Sequence, residues 1–348
     1  MCLHTRDKKP RVAKRDIVCR KYLGEVTKGE YKTPNLGTPV TLNEVLVAKP
    51  DKPQIKHCGK DRWGINIFSL NGGAIHARLF DTGGYSYGTV CKKAIIPAGT
   101  KYWLDSFGRE IAAERLLITD EDIDTLPNDY ALDVLEDAPE LNGIHIGDYY
   151  LTGDSYARPT QDFNKDDVIG QVVGFHDGEP LIAAIDILMG KWDRRGDSKI
   201  GNLYPGSSII KDFSGEETMA KYKKEMGQED RFEVFNLCLE YHSDKNEEWY
   251  LPAMGEMTTM LNNTLYINVA RIVFGVGQTI RSWWFWTCSE WDSGSACSCS
   301  LGFGKVRCNS LYKDLRCGIV PFFASKTSVS KKKKTEWSLL KRVKSLWK

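Results

Sequence analysis

The 348-residue sequence predicts an α+β protein with two domains. Strand and turn signals dominate residues 1–118, whereas the strands of the second half alternate with segments of helical spacing. A hydrophobic fraction of 41% with 11% aromatic residues is typical of globular chains. No internal repeat with a period of about 20 to 50 residues occurs in the sequence, which excludes solenoids and propellers.

The N-terminal part, residues 1–118, is expected to form a small β-rich domain. Within it, the turn at residues 97–99 (Pro-Ala-Gly) separates two apolar runs, and Gly108 marks a turn after the second run. No catalytic or binding residue stands out here. Packing and oligomer contacts are therefore the expected roles of this domain.

The next segment, residues 119–142, has the composition of an acidic linker. No lysine or arginine occurs between residues 116 and 157, while nine acidic residues accumulate between residues 120 and 140. Pro127 and Pro139 lie in the same stretch. Such a shift in composition predicts a boundary between domains.

A second domain is predicted over residues 143–325. Three short apolar runs separated by glycine and aspartate, at residues 144–157, 168–176 and 180–192, predict strands. Helical spacing predicts one helix over residues 216–239 and another over residues 254–274.

The C-terminal segment, residues 326–348, predicts a basic amphipathic tail. Residues 331–348 contain seven lysines, one arginine and one glutamate, which leaves 40 basic against 45 acidic residues in the rest of the chain. The body therefore lacks the basic face of a nucleic-acid-binding protein. Such a charge run is expected to be a solvated extension, and the alternative is that it contacts an acidic partner or a membrane surface. Its apolar residues at helical spacing are Trp337, Leu340, Val343 and Trp347.

The start of the chain is charged where a signal peptide would be apolar, and no 18-residue apolar run occurs. We expect synthesis in a cytoplasm without a signal peptide. In that compartment the ten cysteines are expected to be mostly reduced.

Two aromatic motifs mark the second domain. In residues 249–252 (Trp-Tyr-Leu-Pro), the proline predicts the end of an extended segment, and Glu256 lies in the first turn of the following helix. In residues 284–291, large rings alternate with small polar residues, so we expect one strand face to bury Trp284 and Trp286. Glu290 is expected to accept backbone hydrogen bonds rather than to act as an acid.

These motifs, together with Arg316 and residues 318–323 (Gly-Ile-Val-Pro-Phe-Phe), resemble the C-type-lectin-like domain of variable proteins of diversity-generating retroelements. The resemblance covers about residues 143–323 and is greatest to the proteins of gut Bacteroides and their phages. It implies a rigid scaffold that carries a diversified, ligand-binding surface. The scaffold residues are then expected to be Trp249, Leu251, Pro252, Glu256, Trp284, Trp286, Glu290 and Arg316.

In that family, adenine-directed mutagenesis rewrites codons, often AAC, in the last strands and loops. Between Asp292 and Tyr312, every residue except Lys305 can be encoded after replacement of the adenines of an AAC codon. The resemblance also makes Cys297, Cys299 and Cys308 products of codon change, whereas Cys288 and Cys317 lie at scaffold-like positions and are expected to be packed. The implied ligand-binding residues are Trp291, Asp292, Ser293, Ser295, Cys297, Cys299, Phe303, Val306, Cys308, Asn309, Ser310, Tyr312 and Asp314.

The function expected from these features is a non-enzymatic display protein for phage receptor binding or host attachment. Its ligand would be a protein or glycan on a cell surface, and incorporation in a phage virion and a homo-oligomer are part of the expectation. No cofactor, metal or nucleic acid is expected.

Two other function classes stay open. An oxidase of the formylglycine-generating type shares this fold and uses a cysteine pair with copper, for which Cys308 and Cys317 are the candidates. A structural module of a virion or cell surface is the other alternative. The late cysteines lack the paired CxxC spacing of structural zinc sites, and the GxSxG, HExxH and Walker A motifs are absent from the sequence.

Overall fold

The structure is a computed structural model, and it describes fourteen stretches of the chain. These are residues 3–5, 10–33, 38–48, 54–60, 66–71, 74–79, 89–105, 110–123, 129–193, 210–225, 229–241, 248–281, 283–302 and 305–323. The predicted tail at residues 326–348 lies outside them, as does Phe303.

Sheets dominate the described residues, and five α-helices accompany them, which confirms the predicted α+β class. The first elements along the chain are β1 (Leu3–Thr5), β2 (Arg11–Val12), β3 (Ile17–Thr27), β4 (Glu30–Lys32), β5 (Pro39–Val40), β6 (Val45–Val47), β7 (Gln54–Lys60), β8 (Asn66–Asn71), β9 (Ile75–Arg78), β10 (Thr89–Ile96), β11 (Lys101–Leu104), β12 (Glu110–Ala113), β13 (Arg115–Asp122) and α1 (Asp129–Glu136).

The later elements begin with short strands and include the strands of both aromatic motifs. They are β14 (Glu140–Leu141), β15 (Ile144–His145), β16 (Tyr149–Leu151), β17 (Ser155–Ala157), β18 (Val168–His176), β19 (Glu179–Ala184), β20 (Leu188–Lys191), α2 (Gly215–Glu225), α3 (Glu233–Glu240), β21 (Trp249–Tyr250), α4 (Met254–Asn262), α5 (Thr264–Phe274), β22 (Trp284–Glu290), β23 (Ser295–Gly302), β24 (Lys305–Tyr312), β25 (Arg316–Ile319) and β26 (Phe322–Phe323).

The chain divides into two compact units. Unit one comprises residues 1–139, 262–282 and 300–307, and unit two comprises the remainder, which includes residues 140–261. No helix in the described part of the chain has the length and apolar character needed to cross a membrane.

Unit one is built on a ten-stranded sheet in which β3 and β10 form the longest antiparallel pair, from Ile17 opposite Ile96 to Gly24 opposite Thr89. The side chains of β3 alternate between buried and half-buried positions along Ile17–Leu23, as expected for a strand with one face in the core. A separate sheet has the order β1-β8-β7.

The segment predicted as an acidic linker contains regular structure. Its first residues continue β13, and Asp129–Glu136 forms α1. The acidic side chains of α1 pair with basic residues of unit one: Arg15 Nε lies 3.0 Å from Asp133 Oδ1, and Lys14 Nζ lies 2.9 Å from Glu136 Oε2. Arg15 and Lys14 lie more than 100 residues from these carboxylates in the sequence. The composition of the segment does not reveal such pairing, and for that reason it indicated a linker.

Unit two contains a six-stranded sheet of order β17-β16-β18-β19-β26-β21. The first aromatic motif pairs here with the C-terminal motif, because Trp249 lies opposite Phe323 and Tyr250 opposite Phe322. The rings of Trp249 and Phe323 are 5.3 Å apart and belong to a buried cluster that also contains Tyr241. Burial of these large rings is a main source of stability for the unit.

A five-stranded sheet of order β20-β25-β22-β23-β24 carries the second aromatic motif. β22 is therefore internal to the sheet, and β24 lies at its edge. Residues 300–307, at the end of the β23–β24 hairpin, group with unit one.

Each of the two predicted helices is a pair of helices. The first pair, α2 and α3, folds back so that Tyr222 and Phe235 pack with ring centres 4.9 Å apart, and Phe235 also packs edge-on against Trp192 at 5.1 Å. The second pair, α4 and α5, is interrupted at Asn263, whose backbone angles (φ −104°, ψ 11°) leave the helical region.

Candidate ligand-binding surface

The first aromatic motif leads into α4 through a buried carboxyl group. Glu256 accepts hydrogen bonds from the Ala253 backbone N–H at 2.6 Å and from the Tyr250 hydroxyl at 3.0 Å. Burial raises the pKa of Glu256 to about 8, although both hydrogen bonds lower it. At neutral pH the side chain is therefore mainly a neutral acid that caps the start of α4.

A second buried group ties β22 to the same helix. The Ser289 hydroxyl donates to Asp212 Oδ2 at 2.6 Å and accepts the Met254 backbone N–H at 2.9 Å. The Asp212 carbonyl accepts the Gly255 N–H at 2.7 Å. A Cβ at Gly255 would lie 2.5 Å from that carbonyl oxygen, so only glycine fits this approach. Sequence reasoning did not identify Asp212.

The strand β22 is buried on both faces, from Phe285 to Glu290. Trp286 donates its indole N–H to the Gly190 carbonyl at 3.1 Å, and Trp192 donates its own to the Thr287 carbonyl at 2.9 Å. Trp284 is only half-buried, so the prediction that one face buries Trp284 together with Trp286 is wrong. The alternation of rings and small residues is a property of β22 alone, whereas the residues that bury each of its faces come from distant segments of the chain.

Glu290 forms an ion pair that the sequence did not predict. Lys313 Nζ lies 2.9 Å from Glu290 Oε2, and both side chains are 0% exposed. The same ammonium group donates to the Ser293 carbonyl at 3.0 Å and lies 4.4 Å from the ring centre of Trp192. A buried charge needs such partners, because an unpaired one would be strongly destabilising.

The backbone of Lys313 holds two turns together. Its N–H donates to the Gly294 carbonyl at 3.2 Å, and its carbonyl accepts the Asp193 N–H at 3.0 Å. The buried Asp193 carboxylate in turn accepts two hydrogen bonds from Arg231, at 3.0 and 2.8 Å. Residues 291–294 and 312–315 thus share one buried anchor, and we name them the two-turn surface.

Large side chains on the two-turn surface face solvent. Tyr312 is 74% exposed, Leu315 43% and Trp291 41%. Asp292 closes its own turn, because its Oδ1 accepts the N–H groups of Gly294 and Ser295 at 2.8 and 2.7 Å. A further hydrogen bond from the Ser295 hydroxyl is the main cause of the lowered pKa of Asp292. The turn is therefore ordered by contacts within itself as well as by Lys313.

The predicted ligand-binding residues divide by burial. A first group is exposed and lies on the two-turn surface: Trp291, Asp292, Ser293, Tyr312 and Asp314. Asn309 and Ser310 are half-buried on the edge strand β24. A third group is buried and beyond the reach of a surface ligand: Ser295, Cys297, Cys299, Val306 and Cys308. The prediction that this third group contacts ligand is wrong. The strand β23 is internal to the sheet, and Val306 and Cys308 face the core from the edge strand β24.

The predicted scaffold residues are buried, with two exceptions. Trp249, Leu251, Pro252, Glu256, Trp286 and Glu290 are buried. Trp284 is half-buried, and Arg316 is exposed, donating from Nη2 to the Met189 carbonyl at 3.1 Å. Arg316 therefore lies on the surface of the domain rather than in its scaffold core.

The five late cysteines are packed inside unit two. Burial raises the pKa of Cys317 to about 11 and is also the main cause of the raised pKa values of Cys288, Cys297 and Cys299. Within the described ranges, no group of three or more His, Cys, Asp or Glu side chains has the arrangement of a metal site. The Sγ atom of Cys308 lies 3.5 Å from that of Cys299.

No model of a known protein family matches the chain, and no curated protein matches its sequence. Among solved structures, a fimbrial protein from Bacteroides ovatus aligns with a TM-score of 0.43 and 13% sequence identity. The alignment covers 89% of this chain and 71% of that one.

Proposed function

We propose that unit two is a C-type-lectin-like, non-enzymatic binding domain whose two-turn surface contacts a protein or glycan on a cell surface. The observation that carries this proposal is the combination of exposed aromatic rings at Trp291 and Tyr312 with the buried ion pair of Lys313 and Glu290 beneath them. The first supplies contact area, and the second keeps that area in place.

A surface of this kind suits binding for an energetic reason. Ordering a loop on binding costs free energy, and a loop that is already ordered avoids that cost. Here the Lys313 ammonium bonds to the Ser293 carbonyl of one turn while its own backbone belongs to the other. Tyrosine and tryptophan provide large contact areas with few rotatable bonds, and they contribute much of the binding energy at many interfaces.

The proposal includes diversification of this surface by a retroelement, on the resemblance of the aromatic motifs. Exposed or half-buried positions such as Ser293, Asn309, Ser310 and Tyr312 would accept varied side chains, because they have solvent on one side. Changes at buried positions of β23 would disturb the core instead. Variation is therefore expected to concentrate on the two-turn surface and the outward face of β24.

The nucleotide neighbourhood tests this part directly. We expect a near-copy of the codons for Trp286 to Arg316 that differs only at adenines, next to a gene for a reverse transcriptase. Neighbouring phage tail genes would support receptor binding in a virion as the role of the chain. A neighbourhood with neither a near-copy nor a reverse transcriptase would refute diversification but would leave the binding surface to be tested by itself.

The binding surface is tested with the double variant Trp291→Ala/Tyr312→Ala. Labelled full-length chain is added to a panel of Bacteroides cells and to an immobilised glycan panel, and bound label is measured. Loss of two aromatic anchors is expected to weaken binding by about 100-fold or more. The melting temperature is expected to change little, because both side chains are exposed.

Trp283→Ala is the matched control, because Trp283 is 43% exposed and Trp291 41%, and both flank the same strand. The control is expected to bind like the unaltered chain. Equal binding by the double variant and the control would refute the two-turn surface as the ligand site.

A further inference from the structure

Two thiol groups on neighbouring strands meet inside unit two. Cys299 lies on β23 and Cys308 on β24, and these strands are hydrogen-bonded neighbours in the five-stranded sheet. Their Sγ atoms are 3.5 Å apart, which is van der Waals contact for two sulfur atoms. Both side chains are buried, with Cys299 0% and Cys308 5% exposed.

The surroundings of the two thiols favour pairing of Cys308 with Cys299 rather than with Cys297. Cys297 precedes Cys299 by two positions on the same strand, so both side chains point to the same face of the sheet. Ser298, which lies between these two cysteines, donates from its hydroxyl to the Asn309 carbonyl at 3.3 Å. Ser298 and Asn309 are therefore opposite each other on the two strands, so the residue after Ser298 lies beside the residue before Asn309. Those residues are Cys299 and Cys308. The Sδ atom of Met254 also contacts Cys299, at 2.8 Å from its Sγ.

We propose that Cys299 and Cys308 form a disulfide bond when the chain meets a small disulfide oxidant such as oxidised glutathione. A disulfide requires the sulfur atoms to approach to about 2.05 Å, with strained geometry avoided only when the two Cβ atoms face each other. The Sγ atoms of Cys299 and Cys308 are already in contact across neighbouring antiparallel strands, so they need to approach each other by only about 1.5 Å. Rotation of the two side chains and small movements of the strands supply this shift.

The exchange proceeds in two balanced steps. The Cys308 thiolate attacks one sulfur of oxidised glutathione, which forms a mixed disulfide and releases one glutathione thiolate. The Cys299 thiolate then attacks the Cys308 sulfur, which forms the Cys299–Cys308 bond and releases the second glutathione. The protein loses two protons and two electrons, and the oxidant gains both as two glutathione thiols. Attack begins at Cys308 because β24 is the edge strand of its sheet and opens more readily than β23.

The consequence is a covalent link across the hairpin that leads to Tyr312. Closing a ring of ten residues removes conformational freedom from the unfolded chain. For a unit of this size we expect the melting temperature to rise by about 5 to 10 °C. The inference does not depend on the identity of any ligand.

The experiment uses the full-length chain, first reduced and then incubated with oxidised glutathione under native conditions. Remaining thiols are blocked with N-ethylmaleimide, and the protein is digested with trypsin without reductant. Trypsin cleaves after Lys305 and Arg307, so Cys299 and Cys308 fall on separate peptides that only a disulfide joins. We expect the peptide of residues 282–305 linked to that of residues 308–313, and release of both on reduction.

Variants identify the cysteine on the longer peptide, which also carries Cys288 and Cys297. The linked peptide is expected to persist in Cys297→Ser and to fall at least tenfold in Cys299→Ser. The rise in melting temperature on oxidation is expected in the unaltered chain and absent in Cys299→Ser. Should Cys299→Ser fail to fold, fragment spectra of the linked peptide from the unaltered chain locate the bond.

Three outcomes would overturn the proposal. The first is absence of the linked peptide after oxidation of the folded chain. The second is its persistence in Cys299→Ser with loss in Cys297→Ser, which would move the bond to Cys297. The third is a linked peptide without any rise in melting temperature, which would show that the bond does not constrain the native hairpin.

Discussion

Removing the charge of Lys313 while leaving Glu290 in place is the most direct test of the anchor beneath the two-turn surface. The substitution Lys313→Met keeps a long unbranched side chain, so it opens little cavity. It leaves a carboxylate that is 0% exposed without the ammonium that lies 2.9 Å away in the structure. It also removes the hydrogen bond to the Ser293 carbonyl and the contact with the Trp192 ring.

The expected magnitude follows from these three losses. Removing one partner of a buried ion pair typically costs about 3 to 5 kcal/mol, most of it from the charge left behind. The lost hydrogen bond and cation–ring contact belong to the same network, so their costs are part of this figure rather than additional to it. We therefore expect Lys313→Met to lower the free energy of unfolding by about 3 to 5 kcal/mol.

The assay is guanidinium unfolding followed by tryptophan fluorescence, with the double variant Glu290→Gln/Lys313→Met measured beside the single one. Neutralising Glu290 removes the unpaired charge, so the double variant is expected to be more stable than Lys313→Met by at least about 1 kcal/mol. The control is Lys223→Met. Lys223 lies 3.8 Å from Glu248 in an ion pair with 40% and 71% exposed side chains, so its loss is expected to cost less than about 1 kcal/mol.

A loss for Lys313→Met no larger than that for Lys223→Met would refute the reasoning. It would mean that the Glu290 carboxylate finds other partners or water at no cost. The two-turn surface would then need a different anchor.

Two further predictions concern the buried junction at the start of α4. Because Glu256 has a folded-state pKa of about 8 against an ordinary 4.5, its contribution to stability is complete below pH 4.5 and is lost as the pH rises through 8, with a slope of up to about 1.4 kcal/mol per pH unit. Glu256→Gln is expected to abolish this slope in unfolding measurements between those pH values, and an unchanged slope would contradict the assignment. Gly255→Ala is expected to lower the free energy of unfolding by about 1 to 3 kcal/mol, because the new Cβ would lie 2.5 Å from the Asp212 carbonyl oxygen. Gly24→Ala, whose Cβ would meet Lys32 at an ordinary 3.7 Å, is its control and is expected to change stability less.

The junction at Pro252 and the burial of Trp249 and Trp286 could be predicted from the sequence. Each depends on neighbours within a few residues: a proline ends an extended segment, and large rings seek the core. The partners of the site could not be predicted. Lys313 lies 23 residues from Glu290, and Asp212 lies 77 residues from Ser289, and nothing near either residue marks the pairing.

One signal for Lys313 was present in the sequence but carried no weight without the structure. Lysine is rare between Asp292 and Arg316, where only Lys305 and Lys313 occur, but this scarcity does not indicate which acidic residue either lysine pairs with. The alternation of large rings and small residues in β22, in contrast, led to a wrong prediction of burial. It indicated one buried face, whereas segments from elsewhere in unit two cover both.

The sequence by itself determined the α+β class and the two aromatic motifs that form most of the scaffold, because local hydrophobicity and backbone preference are properties of adjacent residues. The tertiary structure alone decided which residues between 291 and 314 reach solvent, which charge neutralises Glu290, and that Cys308 meets Cys299. These properties depend on contacts between segments far apart in the chain, and the burial of a side chain is set by what the rest of the fold places over it.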